Sequence, residues 1–156
     1  MSKLKRIHDG WTAALDLLQS PFLLLVRLYW GIMIVESGWG KLTGLDKVAG
    51  YFSSLGIPLP MLNACLAAGT ETLGGILFVL GLGGRIVPVP LLFVMAIAWA
   101  TAERDALAAI WTDPDKFTAS TPFLFAFAFL IVLIFGPGKL SLDALLCRKK
   151  NHGAGE

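Results

Sequence analysis

Residues 22–42 read FLLLVRLYWGIMIVESGWGKL, an apolar run broken only by the charges of Arg27, Glu36 and Lys41. At about 1.5 Å per residue, a helix of this length crosses a hydrocarbon core roughly 30 Å thick. No A-x-A cleavage site follows, so the run reads as a retained span and not as a signal peptide.

Three further apolar stretches follow, at about 61–82, 86–101 and 122–135. Gly83, Gly84 and Arg85 leave only a tight turn between the second and the third. Pro88 and Pro90 fall in the first turns of the third, where proline is best tolerated. The fourth stops at Gly136-Pro137-Gly138. The expected fold is an all-α membrane protein, a four-transmembrane-helix bundle. Ahead of it, residues 1–20 carry Lys3, Lys5 and Arg6, then Trp11, Ala14, Leu15 and Leu18 at helical spacing. They predict a short amphipathic surface helix, with Pro21 opening the next helix. The domain reading is therefore a cytoplasmic tail and surface helix (1–20), a transmembrane domain (21–146) and a basic tail (147–156). The stretches 43–60 and 102–121 read as polar loops.

Composition agrees. The 156 residues are 56% hydrophobic and 15% charged, against about 45–50% and about 25% in soluble domains. A net charge of +2 without a basic, aromatic-laced stripe excludes a nucleic-acid partner. Cys65 and Cys147 belong to no CxxC motif, and the expected topology puts them on opposite sides of the membrane. His8 and His152 lie in the polar tails, so no axial ligand for a haem stands within the bundle. No metal site is expected either.

Lys and Arg set the orientation. Lys3, Lys5, Arg6, Arg85, Lys139, Arg148, Lys149 and Lys150 lie on one side; Lys41, Lys47, Arg104 and Lys116 lie on the other. The richer side is cytoplasmic, so the expected location is a bacterial inner membrane, crossed several times, with both termini inside.

Charges within spans mark sites, because a lone charge near the bilayer centre costs at least about 2.5–3.5 kcal/mol. Arg27 lies about 7 Å deep in the first span and Glu71 about 16 Å deep in the second. The gap of about 9 Å is marginal, and a long side chain, a helix tilt or a bridging water closes it, which predicts an Arg27–Glu71 ion pair, direct or water-mediated. Arg27, Gly31, Gly38 and Lys41 share one face of the first helix, and Ala64, Ala67, Ala68, Glu71, Gly74 and Gly75 form a small-residue strip on the second. These faces are expected to pack together. Glu36 lies on another face, open to a fourth helix, a partner or a wet crevice. Lys41 and Glu103 stand near the outer ends of their helices, where both can snorkel, or gather with Asp113 in an outward polar cluster. Trp39, Trp99 and Trp111 read as interface-belt residues, and Phe123, Phe125, Phe127 and Phe129 as facing lipid.

Four elements, in this order, resemble the DoxX family of small four-helix membrane proteins. They are Arg27 and Gly31 with Gly38-Trp39-Gly40-Lys41-Leu42; the Leu55-Gly56-Ile57-Pro58 turn; Glu71 with Gly74-Gly75, Leu80-Gly81 and Arg85; and Gly136-Pro137-Gly138-Lys139-Leu140-Ser141-Leu142-Asp143. The resemblance runs from about 22 to 146. One position departs from it: Ser37 stands where such proteins often carry histidine. The resemblance implies a membrane subunit linked to sulfur-compound oxidation and quinone reduction, as in thiosulfate:quinone oxidoreductase, or a member of an oxidative-stress complex with soluble enzymes.

Three functions fit the sequence. The first is a quinone-binding subunit of an oxidoreductase, with Arg27 bonding a quinone oxygen and Glu71 relaying a proton. Since the sequence carries no flavin motif, this requires a protein partner holding the catalytic centre. The second is a non-catalytic membrane adaptor, and the third a small-molecule or ion carrier, for which a homodimer would supply the size.

Overall fold

The computed structural model describes residues 3–152, with side chains placed at 11, 12 and 15–147. Among the described residues the elements are all helices: α1 (Lys3–Thr43), α2 (Leu45–Ser54), α3 (Pro60–Leu80), α4 (Pro88–Thr101), α5 (Arg104–Ala108), α6 (Pro114–Thr118), α7 (Thr121–Phe135) and α8 (Leu142–His152).

The expected separate surface helix and the expected break at Pro21 are not there. α1 runs through Pro21 without ending. Proline removes one i→i−4 bond, and a helix otherwise continuous on both sides can carry that loss. The loop expected at 43–60 contains α2, and the one at 102–121 contains α5 and α6. α3 begins on Pro60, whose missing N–H is an orphan at that position anyway. It ends in a Schellman cap: Leu82 N–H donates to Leu77 O (3.0 Å) and Gly81 N–H to Phe78 O (3.1 Å), with Gly81 at φ +67°.

Two helical stretches, Leu15–Thr43 and Pro60–Leu80, are long and apolar enough to cross a membrane; α4 and α7 are apolar but shorter. α1 packs on α3 through the expected small residues. Gly31 lies against Phe78 and Val79, Gly38 against Thr72, and Gly75 against Ile34 and Val35. Gly74 serves the next interface and lies against Leu91 of α4. α7 closes the bundle, with Phe129 edge-on to Phe78 (centroids 5.1 Å) and Phe125 edge-on to Trp30 (5.5 Å).

Phe125 and Phe129 are therefore core residues, not lipid-facing ones, whereas Phe127 does face outward. Trp99 also departs from the belt reading: its Nε1–H donates to Ser120 Oγ (3.1 Å) and its ring stacks on Phe117. Trp39 and Trp111 are exposed. Phe125 and Phe129 lie four apart, on the face of α7 turned to the other helices, so periodicity separates them from Phe127.

A methyl added at Gly38 would lie 2.6 Å from Thr72 N and 2.9 Å from Glu71 Cβ, against backbone that cannot turn away. Gly38→Ala is therefore expected to cost about 1–3 kcal/mol. Gly69→Ala, where nothing stands within 4 Å, is the neutral control. Thermal unfolding of both variants in detergent checks the difference.

Candidate functional site

Two polar centres lie inside this apolar bundle, and the expected Arg27–Glu71 pair joins neither. Arg27 is fully buried (0% exposed) beside the end of α3. Its Nη1 donates to Val79 O (3.3 Å) and its Nη2 to Leu140 O. Val79 O belongs to the last turn of α3, where carbonyls lack helical partners and the helix dipole is negative.

The 136–143 turn completes this centre. Asp143 accepts from Gly83 N–H (3.0 Å) and Gly84 N–H (2.8 Å), and its own N–H donates to Gly81 O (3.2 Å). Ser141 Oγ accepts from Ala144 N–H (3.2 Å), capping the first turn of α8. Lys139 N–H donates to Ser20 Oγ (3.2 Å), so α1 is tied to the same turn. Both of these hydrogen bonds run to backbone carbonyls, so Arg27 acts as a clamp joining α1, α3 and the turn. Asp143, singled out in sequence only as part of a turn motif, is the carboxylate of this centre.

Glu71, 3% exposed, takes its partners from the other end of α1. Its Oε2 accepts from Ser37 Oγ (3.0 Å) and pairs with Lys41 Nζ, which also donates to Ser37 Oγ (2.8 Å). Ser37 and Lys41 are four apart on one helix face and so reach the carboxylate together. Lys41 therefore turns inward instead of snorkelling. Glu103 is half-buried and occupies the position before α5, and Asp113 caps α6 by accepting from Lys116 N–H (3.3 Å). Among the described residues these do not gather with Lys41 into an outward cluster. Glu36 is exposed on the outside of α1.

The Lys41–Glu71 pair forms one wall of a cavity of about 390 Å³ between α2, α3 and α4. Tyr51, Phe52, Leu66, Phe93 and Ile97 make most of its lining apolar, with Asn63, Thr70 and Thr101 adding polar groups. Size and lining match a site for a small, mostly apolar ligand. Lys41 has three N–H donors; Glu71 and Ser37 take two, and the third remains for the cavity. Neither Ser37 nor α2 stood out in the sequence as part of a site. The i, i+4 spacing of Ser37 and Lys41, opposite Glu71, was the available signal.

Large apolar side chains such as Leu25, Leu73, Phe127, Leu130 and Ile134 face outward, while Arg27 and Glu71 are enclosed. Apolar outside and ionic within, the chain is a membrane protein. It belongs to the DoxX family, whose profile matches residues 22–104. The inner membrane protein YphA of Escherichia coli is 33% identical over 79% of this chain and 89% of its own length. A Bacillus subtilis protein named "Putative oxidoreductase CatD" is 28% identical over 83% of this chain and 90% of its own. The membrane protein Rv3486 of Mycobacterium tuberculosis is 28% identical over 90% of each chain. No solved structure matches the chain.

Proposed function

We propose that this chain is a quinone-binding membrane subunit of an oxidoreductase whose catalytic centre belongs to a partner protein. In this reading it crosses the inner membrane four times with both termini cytoplasmic. α4 and α7, at 14 and 15 residues, span with their apolar flanks and local thinning of the bilayer. The name of CatD and the inner-membrane naming of YphA support the assignment.

One observation carries it: an apolar cleft between α2, α3 and α4, walled on one side by Lys41, of whose three N–H donors Glu71 and Ser37 take two. The ring of a quinone suits the apolar lining, and the third Lys41 N–H donates to a carbonyl oxygen. Glu71 and Ser37 fix the ammonium, and the two protons of the quinol come from water. Reduction to quinol takes up two electrons, drawn from the substrate of the partner, and two protons. Arg27, spent on backbone carbonyls, takes no part, so the polar site is Lys41–Glu71 and not Arg27–Glu71.

Titration of the detergent-purified protein with a short-chain quinone tests this. Saturable binding is expected. The double variant Lys41→Met/Glu71→Leu, which removes both charges together, is expected to weaken it about tenfold, equivalent to about 1.4 kcal/mol. Ala67→Phe, which fills the cavity, is expected to abolish it. Folded protein without saturable binding overturns the proposal.

A further inference from the structure

We infer that the outward stripe of α1 carrying Glu36 docks a membrane-spanning helix of a different protein, one that presents a basic side chain at the depth of Glu36. Phe22, Leu25, Tyr29, Ile32, Glu36, Trp39 and Thr43 repeat at alternating steps of three and four, and all are exposed. That is the seam spacing of two helices packed with a left-handed twist. The seam lies on the side of α1 turned away from α3 and α7.

Glu36 makes the seam more than an apolar face. It stands seven positions before the end of α1, about 10 Å along the axis. Neighbouring positions Val35 and Gly38 pack against Gly75 and Thr72, well inside α3. Among the described residues nothing donates to its carboxylate, and the nearby Lys41 ammonium is held by Glu71 and Ser37. A lone carboxylate turned to acyl chains is strongly disfavoured, and such groups pair with a cation or donor. A second copy packed symmetrically on this seam would set Glu36 opposite Glu36, like charge against like. Charge complementarity therefore selects a helix of another protein carrying Arg, Lys or His. Tyr29 and Trp39 flank the carboxylate and supply large aromatic contacts to that helix. The inference does not depend on what fills the cavity, and a failure of quinone binding would leave it standing.

Photocrosslinking in the native membrane tests it. A benzophenone side chain is placed at position 32 or 39 of the full chain, and at positions 73 and 134 as outward-facing controls on α3 and α7. Adducts are mapped by mass spectrometry. Positions 32 and 39, but not the controls, are expected to label a membrane span of another protein with a basic residue within one turn of the adduct. The yield is expected to fall at least tenfold with Glu36→Leu, which keeps the surface apolar and compatible with folding. It is expected to return when Glu36→Lys is combined with replacement of the partner's basic residue by glutamate. Adducts with a second copy of this chain, with lipid alone, or unchanged by Glu36→Leu would overturn the inference.

Discussion

Gly81→Ala is expected to be the most damaging single-methyl change in the protein. Gly81 carries the left-handed cap of α3, at φ +67°, and a methyl there would run into the Arg27 guanidinium and the Ser141 side chain. The positive φ alone costs an L-residue about 1–2 kcal/mol. Gly56→Ala measures that part by itself, because Gly56 has φ +74° and nothing within 4 Å. At Gly81 the clash adds displacement of Arg27 from Val79 O and Leu140 O, stranding a buried charge whose Nε already lacks a partner. Removing one side of a buried charge–dipole arrangement commonly costs about 3 kcal/mol or more. The expected result is a fall in Tm of about 10 °C or outright loss of folded protein, against a few degrees for Gly56→Ala. Thermal denaturation followed by size-exclusion in detergent separates the two.

The second large effect is expected at the Lys41–Glu71 pair. Lys41→Met leaves a carboxylate, 3% exposed, with only the Ser37 hydroxyl as donor. The expected loss is about 3–5 kcal/mol. Glu71→Gln keeps an acceptor for both Ser37 and Lys41 and is expected to cost about half as much or less. With Glu71→Leu as the second single variant, Lys41→Met/Glu71→Leu removes both charges and is expected to recover most of the loss, giving a coupling of at least about 2 kcal/mol in the double-mutant cycle. Additive single effects in thermal or denaturant unfolding would show that the two side chains do not depend on each other.

The helices and their packing faces were legible because apolar length and small-residue spacing act locally. Gly31, Gly38 and Gly75 found their α1–α3 contacts as the helical period required. The ionic partners were harder to read because depth along a helix depends on where the bundle begins. Counting from residue 22 placed Arg27 about 7 Å below the surface, yet Ser20 and Leu23 already touch the 138–139 turn. That sets Arg27 level with the last turn of α3, where orphan carbonyls outcompete a distant carboxylate. Lys41 was read as an end-of-helix residue free to snorkel. Gly38 against Thr72 brings the end of α1 level with the middle of α3, and so Lys41 to Glu71. α2 was hidden by Gly44, Gly50 and Gly56, which read as loop residues although Gly50 sits on an open helix face. Without α2, neither Tyr51 nor Phe52 could be placed over the cavity.

The central claim is that the cavity beside Lys41 and Glu71 holds a quinone. Photolabelling the protein in its native membrane with an azido-quinone, with and without excess unmodified quinone, tests it most directly. Label competed away by quinone and confined to peptides within 51–57, 63–71 and 90–102, which line the cavity, is the predicted result. Label that quinone does not displace, or that falls on the outer faces of α1 and α7, would contradict it.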